Sequence, residues 1–418
     1  MLQELLLLAL LTTSPAAADW PQFRGPGSRG HSQATGLPLV WNETENLNIA
    51  WKVPIPGRGW SSPVVRGERI WMTTALDELR SLRAIAVDVA TGKIIHDVEI
   101  FRPAAWRPGH VENSYASPTP VIEEGRIYVH FGSYGTAALS TADARPLWTN
   151  QELRVDHEHG PGSSPILYED LLLINFDGTD QRFVAALRKD TGELAWKAPR
   201  SVKLEKKGAH QIAFSTPVVV RWAGKPQLIS TGAGQVSAYD PRTGEEIWRL
   251  RHDGYSTVPQ PAFGIGMVFV DTGYIIPHLL GVRLGGRGDV TDTHVAWITH
   301  WKVPANSSPL VVGDRIFMVN DEGFGSWLDA RTGEDLWCER LGGRQYRASP
   351  LYANGRIYTW SVRGKTVVIR AADKYEVLAV NQLDGIIRAT PAIAGRAIYV
   401  RSEAHLYRIE KRDASVPQ

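Results

Sequence analysis

The chain has 418 residues, 22% of them charged, and a formal net charge of +2. This near-neutral balance gives no electrostatic case for a nucleic-acid partner. The chain has a single cysteine, Cys338, which excludes an internal disulfide.

The N-terminal residues 1–18 have the pattern of a secretory signal peptide. Residues 2–11 are mostly apolar, and three alanines at 16–18 provide a small-residue cleavage site before Asp19. The apolar run is too short to span a bilayer, so we expect no membrane span. The sequence therefore predicts a secreted or periplasmic protein, with residues 19–47 as an N-terminal extension.

The rest of the chain carries a repeated proline that follows Ser or Thr in every case but one, where it follows Gln. Successive prolines are 41 to 57 residues apart. One four-stranded propeller blade takes about 40–50 residues. Eight prolines therefore predict eight blades, and they are Pro63, Pro120, Pro165, Pro217, Pro261, Pro309, Pro350 and Pro391.

The third unit shows the strand pattern of a blade most clearly. Its segments are SSPILY (163–168), LLLINF (171–176), RFVAAL (182–187) and LAWK (194–197). Each is long enough for a short strand but not for a helix. A turn of the type DTGE (190–193) precedes the last segment, where Gly can adopt the positive φ of a tight hairpin. The Thr-Gly turn recurs at 90–93, 242–245 and 331–334, and a Trp stands in the last strand at 148, 196, 248, 297 and 337.

The eighth unit is one strand short. The segment NIAWKVP (48–54) has the pattern of the missing strand, and its Trp51 lies 12 residues before Pro63. We therefore expect residues 48–54 to close the last blade, which leaves no unpaired sheet edge at the seam. The propeller then covers residues 48–410, followed by a tail at 411–418. The three strands that the eighth unit supplies are 389–394, 397–402 and 405–410.

The motif running from Asp240 to Trp248 and again from Asp329 to Trp337 resembles the repeat of pyrroloquinoline-quinone-like (PQQ-like) propellers. The segments WPQFRGP (20–26), NSYASPTP (113–120) and HGPGSSP (159–165) resemble those of exported members of this family. The resemblance covers nearly all of residues 41–410. It implies an all-β fold, an eight-bladed β-propeller of four-stranded antiparallel blades. The repeat serves both quinone-dependent dehydrogenases and non-catalytic scaffold propellers.

Loops that enter each first strand and loops that join second to third strands open on the same side of a propeller. Here these loops are polar and aromatic, and Glu112 is one of their charged residues. Convergent polar groups on a concave surface indicate a binding site. In the alternative interpretation they only satisfy turn backbones and inner strand ends. The candidate ligand-binding residues are Asn113, His157, Glu158, His159, Asp177, Asp180, His210, Asp271, Tyr274, Asp321, Arg347 and Arg388.

Two segments contain residue types that bind metals. His157, Glu158 and His159 are of the right types for zinc, but adjacent residues in an extended loop point apart, and no second ligand pair is evident. The loop 177–180 could offer oxygens to calcium but lacks the longer calcium-loop pattern, and an Asp-Gly turn explains it. We therefore predict no metal site.

The sequence favours a non-catalytic binding or scaffold module of the cell envelope. We expect a monomer that binds a protein, peptide or glycan without a cofactor, through aromatic side chains that suit such ligands. The alternative implied by the resemblance is a PQQ-dependent dehydrogenase that oxidises an alcohol or sugar with PQQ and calcium. Those enzymes have a disulfide between neighbouring cysteines, which this chain cannot form, so we lean against an enzyme. A hydrolase or lyase on the same face is a third option. The aromatic residues are Trp60, Trp106, Tyr115, Tyr255 and Tyr346.

Overall fold

The computed structural model describes residues 19–107, 109–274 and 277–411. These residues form eight antiparallel four-stranded blades, numbered here in the order of the prolines, which confirms the predicted β-propeller. Blade 1 consists of Val64–Arg66, Arg69–Leu76, Ser81–Asp88 and Ile94–Phe101, and blade 2 of Val121–Glu123, Arg126–His130, Thr136–Ser140 and Pro146–Asn150. Blade 3 consists of Ile166–Tyr168, Leu171–Asp177, Arg182–Arg188 and Leu194–Pro199, and blade 4 of Val218–Trp222, Lys225–Gly232, Gln235–Tyr239 and Glu246–Arg251. Blade 5 consists of Ala262–Gly264, Met267–Asp271, Leu279–Arg283 and Val295–Thr299, and blade 6 of Leu310–Val312, Arg315–Val319, Phe324–Asp329 and Asp335–Arg340. Blade 7 consists of Leu351–Ala353, Arg356–Trp360, Lys365–Arg370 and Val377–Gln382, and blade 8 of Ala392–Ala394, Ala397–Arg401, His405–Glu410 and Ile49–Pro54.

Two short strands and four 3₁₀ turns complete the described structure. His31–Ser32 pairs in parallel with the inner strand of blade 7. Gly288–Asp289, in the segment between the third and fourth strands of blade 5, pairs in parallel with the outer strand of blade 4 and partly covers it. The 3₁₀ turns are Pro26–Ser28, Asp77–Leu79, Gly132–Tyr134 and Gly208–Gln211.

The strands of one blade differ in burial according to their distance from the channel. Every residue of Leu171–Asp177, the second strand of blade 3, is buried, whereas no residue of the outer strand Leu194–Pro199 is. A strand covered on both faces by neighbouring blades must be apolar on both faces. This is why the inner parts of each unit appear in the sequence as continuous apolar runs.

The ring is closed by the N-terminal strand, as the sequence predicts. Ile49–Pro54 pairs antiparallel with His405–Glu410, with Trp51 opposite Arg408 and Pro54 opposite His405. The last blade is therefore built from both ends of the propeller domain. Strand pairing at this seam replaces the two open edges that an unclosed ring would expose.

The outer-strand Trp of one blade packs on the turn between the third and fourth strands of the next blade and so links the two. The outer-strand Trp297 lies over the Thr-Gly turn of blade 6, and its indole N–H donates to the Ala330 carbonyl at 3.2 Å. A Cβ atom at Gly333 would lie 2.5 Å from the Trp297 ring, and Gly333 has a φ of 75°. Trp148 lies in the same way over Gly192 in blade 3. Only glycine allows this approach, which accounts for the repeated spacing of Gly and Trp.

The residue before each proline forms a second link between blades. In six of the eight cases its side-chain hydroxyl accepts the backbone N–H of the equivalent residue one blade earlier, so these bonds run along most of the channel wall. Gln260 has no hydroxyl, and its amide instead donates to the Pro217 carbonyl at 3.2 Å. The Ser/Thr-Pro signal therefore reflects blade-to-blade hydrogen bonding. The bonds, at 2.9–3.0 Å, join Ser62 to Thr119, Thr119 to Ser164, Ser164 to Thr216, Gln260 to Ser308, Ser308 to Ser349, and Ser349 to Thr390.

The N-terminal extension crosses one end of the channel. Trp20 pairs with Val65 in the inner strand of blade 1, and the buried Arg24 donates to the Pro309 carbonyl of blade 6 at 2.7 Å. His31 hydrogen-bonds to the Val311 carbonyl of the same blade at 2.7 Å. Between these contacts Phe23 reaches the channel wall. Residues 19–32 therefore act as a plug on the side of the turns between first and second strands.

Both predicted terminal segments lie at or beyond the limits of the description. The signal peptide predicted for residues 1–18 lies outside the described residues, as does all of the predicted tail except Lys411. Within the described residues, no helix has the length and apolar character needed to cross a membrane.

Candidate functional site

A pocket of about 610 Å³ occupies the channel at the end opposite the plug. We call this end the channel face, because the loops that enter the first strands and those between second and third strands meet there. The Ser and Thr hydroxyls before the prolines form part of the wall, and Phe23 reaches it from the plug. Aromatic and apolar side chains cover much of the rest, among them Trp60, Ile212, Phe214, Tyr255, Val258 and Tyr274.

An ion-pair cluster crosses the pocket mouth. Arg347 precedes blade 7 and pairs with Asp321 of blade 6. Its Nη2 also lies 3.0 Å from Oε2 of Glu112, which precedes blade 2. The Glu112 Oε1 lies 3.6 Å from Nη2 of Arg388, which precedes blade 8. Arg388 in turn lies over the Trp60 ring, 4.8 Å from its centroid. Five loops, which belong to blades 1, 2, 6, 7 and 8, therefore converge at one mouth.

Asn113 and His159 lie on the wall beside this cluster. The Asn113 amide donates to the carbonyls of His159 and Pro161 at 2.9 and 3.1 Å, and its oxygen accepts the Ser114 N–H at 2.8 Å. The Asn113 side chain thus holds two loops together. The His159 ring lies 5.1 Å from that of His110 and 6.5 Å from Phe214, stacked on the latter.

Aromatic side chains form the opposite part of the rim. His210, on the turn Gly208–Gln211, packs against Tyr255 with ring centroids 4.6 Å apart and the ring planes tilted by 43°. Tyr274 meets Tyr255 at 6.2 Å and is 61% exposed. An exposed tyrosine at a pocket rim offers apolar area and a hydroxyl to a partner.

Asp177 does not reach the pocket. Its carboxylate forms a bidentate pair with Arg200, at 3.0 Å to Nε and 2.6 Å to Nη2, and both side chains are fully buried. Arg200 also donates to the Ser230 hydroxyl of blade 4 at 2.8 Å. Burial alone would lower the pKa of Arg200, but the Asp177 charge overrides it and the pKa is raised. The structure thus gives Asp177 a role in joining blades 3 and 4.

His157, Glu158 and Asp180, three of the candidate ligand-binding residues, lie in loops beside the pocket and do not line it. The His157 ring packs against Gly132, and burial lowers the pKa of His157 to about 4 although Asp180 and Asp156 act in the opposite direction. Glu158 is exposed. Asp180 accepts the Asp156 N–H at 2.7 Å. Of these three side chains, only Asp180 therefore has a hydrogen bond that holds the loop among the described residues.

Asp271 is a buried carboxyl group at the end of a blade 5 strand. Its Oδ1 accepts the Gly273 N–H at 2.7 Å, and its Oδ2 has no hydrogen-bond partner among the described residues. Burial raises the pKa of Asp271 well above its usual value, although the Gly273 hydrogen bond lowers it. The side chain does not line the pocket.

Five of the twelve predicted site residues line the pocket: Asn113, His159, Tyr274, Arg347 and Arg388. Asp321 contacts one of these arginines. Of the five aromatic residues expected to meet a ligand, Trp60 and Tyr255 line the pocket, whereas Tyr115 and Tyr346 are buried. Phe23 and Phe214 also line the pocket, although neither is among the residues predicted from the sequence. Phe214 lies in an entering loop, three residues before a marker proline, which is a usable signal; Phe23 has no repeat around it.

Comparison with known proteins gives matches along the whole propeller. The family model described as outer membrane protein assembly factor BamB matches residues 48–222 and 180–417. Quinoprotein ethanol dehydrogenase of Pseudomonas putida is 27% identical over 205 residues, covering 43% of this chain and 31% of that protein. BamB of Marinobacter adhaerens is 24% identical over 115 residues, covering 27% of this chain and 29% of that protein. The chain thus spans less than a third of the length of these relatives.

Among solved structures, BamB from Moraxella catarrhalis superposes with a TM-score of 0.62 and 12% identity. The match covers 88% of this chain and 99% of that one. At this identity the likeness concerns the fold alone.

The quinoprotein relatives raise the question of whether this channel could hold a calcium-bound quinone. Within the described ranges, no three His, Cys, Asp or Glu side chains gather closely enough to share a metal ion. The two carboxylates at the pocket mouth, Glu112 and Asp321, are already engaged by Arg347. The donor set present in the channel therefore does not fit a calcium-quinone centre.

Proposed function

The chain belongs to the family of PQQ-like repeat β-propellers, and we propose that it is a non-catalytic binding module of the cell envelope. Its ligand site is the pocket on the channel face. The observation that carries this proposal is a pocket of about 610 Å³, in a channel that is plugged at one end and rimmed by aromatic and charged groups at the other. A concave, largely pre-formed pocket with a few placed polar groups is the usual form of a binding site.

The chemistry of the rim supports binding over catalysis. The charged groups at the mouth neutralise one another, and the buried carboxyl group of Asp271 does not line the pocket. The exposed Tyr274 and the half-buried Tyr255 offer contact area to a protein or peptide. One relative is named for its part in assembling outer membrane proteins, which is consistent with a protein ligand. Export through the predicted signal peptide at 1–18 would place this site in the periplasm or outside the cell.

A position-specific cross-linking experiment tests the proposal. A photoreactive residue at Tyr274, on the channel face, should give a discrete cross-linked product in native envelope material. The same residue at Glu124, which is exposed on a turn of the opposite face, should give none. Equal products from both positions, or none from Tyr274, would contradict a binding site on the channel face.

The alternative function is the oxidation of an alcohol by a bound quinone, favoured by the match to a quinoprotein ethanol dehydrogenase. The purified protein is mixed with PQQ and calcium, freed of unbound quinone, and assayed for dye reduction with ethanol. We expect no retained quinone absorption and no ethanol-dependent turnover. Quinone retained in equimolar amount together with turnover would replace the binding module with the dehydrogenase.

A further inference from the structure

We propose that Arg347 and Arg388 form a carboxylate clamp, and that Glu112 occupies it in the free protein as an internal substitute for the ligand. The ligand class is then a carboxylate attached to an apolar or aromatic body. This inference rests on the proposed function, because it assigns a chemistry to the same pocket.

The two guanidinium groups lie beside the two different oxygens of one carboxylate. Glu112 presents one oxygen to each arginine, at 3.0 Å to Arg347 and 3.6 Å to Arg388. The planar guanidinium group matches carboxylate geometry better than a lysine ammonium does. The pair is therefore shaped for a carboxylate.

The arginines are held by the propeller, whereas the glutamate is the movable member. Asp321 fixes Arg347, and the Trp60 ring supports Arg388, so their side chains are only 21% and 17% exposed. Glu112 is 40% exposed on a loop whose neighbour, Val111, is 73% exposed. An exposed glutamate is held by no more than a weak surface pairing. A ligand carboxylate can therefore displace it without disturbing the arginines.

Charge balance also points to an anion. With Glu112 in place, the two arginines are neutralised by Glu112 and Asp321. When Glu112 leaves, the cluster keeps one uncompensated positive charge. The buried Nε of Arg388 has no hydrogen-bond partner within the described residues, so that guanidinium keeps a free donor.

The pocket beneath the clamp accommodates the rest of the ligand. Its volume of about 610 Å³ lies within the range of small-ligand pockets, roughly 300–1,000 Å³. Phe214, Ile212 and Val258 form apolar wall inside it. A ligand with its carboxylate at the arginines would therefore direct an apolar or aromatic body inward. A peptide C-terminus with a large apolar side chain and a free aromatic acid share this chemistry.

Titration of the full-length protein with three probes tests the clamp. The probes are a short fluorescent peptide ending in Phe with a free carboxylate, the same peptide amidated, and 3-phenylpropionate. Glu112→Gln removes the internal competitor and should tighten binding of a carboxylate probe about tenfold, whereas Arg388→Ala should weaken it at least tenfold. Glu205→Gln, an exposed glutamate on another entering loop of the same face, is the matched control and should bind as the wild type does. Melting temperatures confirm that each variant is folded.

Each outcome decides the proposal. Tighter binding of the acid peptide but not its amide supports the clamp and a chain terminus as ligand, and tighter binding of 3-phenylpropionate alone supports the clamp and a small acid. Equal binding of acid and amide, no gain from Glu112→Gln over Glu205→Gln, or no carboxylate binding by Glu112→Gln at millimolar concentration overturns it. If Tyr274 still cross-links a partner in that case, the clamp fails while the proposed function stands.

Discussion

Two ion pairs on the channel face have the same chemistry but opposite surroundings. The side chains of Asp177 and Arg200 are 1% and 0% exposed, whereas those of Glu112 and Arg347 are 40% and 21% exposed. The first pair fills the space between blades 3 and 4, and the second crosses an open pocket. Burial therefore separates a charge that holds the ring together from one that can exchange its partner for a ligand.

The largest expected effect on stability comes from the buried pair of Asp177 and Arg200. Arg200→Ala leaves the Asp177 carboxylate buried without its bidentate partner, and we expect a loss of about 3–5 kcal/mol in the free energy of unfolding. The measurement is chemical denaturation monitored by tryptophan fluorescence. The control is Arg188→Ala in the same blade, whose partner Asp170 is 57% exposed and which should lose at most about 1 kcal/mol. Similar losses of unfolding free energy in both variants would contradict the difference expected between buried and exposed ion pairs.

A buried titratable group should also make the stability of the protein depend on pH. Burial, with a smaller contribution from His157, lowers the pKa of His130 to about 3. The unfolded chain binds the proton near pH 6.5, so the stability due to neutral His130 is complete above that pH and is lost as the pH falls. Between about pH 6.5 and about pH 4 the loss is on the order of 3 kcal/mol.

The variant His130→Gln isolates this contribution. Its free energy of unfolding should fall less steeply than that of the wild type between about pH 7 and about pH 4. Gln retains a polar group for Thr136, whose hydroxyl lies 2.8 Å from His130 Nδ1. If the free energy of unfolding of the two proteins changed with pH in parallel, burial of His130 would not lower its pKa.

The fold could be predicted from the sequence because its links repeat. The proline, the Thr-Gly turn and the outer-strand Trp each report a local contact that recurs from blade to blade. The plug could not be predicted, because Phe23 reaches the channel through contacts with strands far along the chain. Nor could Asp177 be separated from Arg347, since both are charged residues near loops of one face. What distinguishes them is the position of the partner, which only the packed structure supplies.

The smallest expected effect on stability concerns the exposed ion pair of Glu112 and Arg347 at the pocket mouth. Arg347→Ala removes a cation from Asp321 and Glu112, whose side chains are 32% and 40% exposed. Asp321 keeps the Ala305 N–H at 3.2 Å and the Asn306 amide at 3.3 Å. Water can solvate what remains, so the free energy of unfolding should fall by only about 0–1 kcal/mol, while binding of a carboxylate probe is lost. Arg344→Ala, an exposed arginine on the same loop, should change neither quantity. A loss above about 3 kcal/mol would instead make Arg347 a structural residue like Arg200, because breaking a buried ion pair costs about 3–5 kcal/mol.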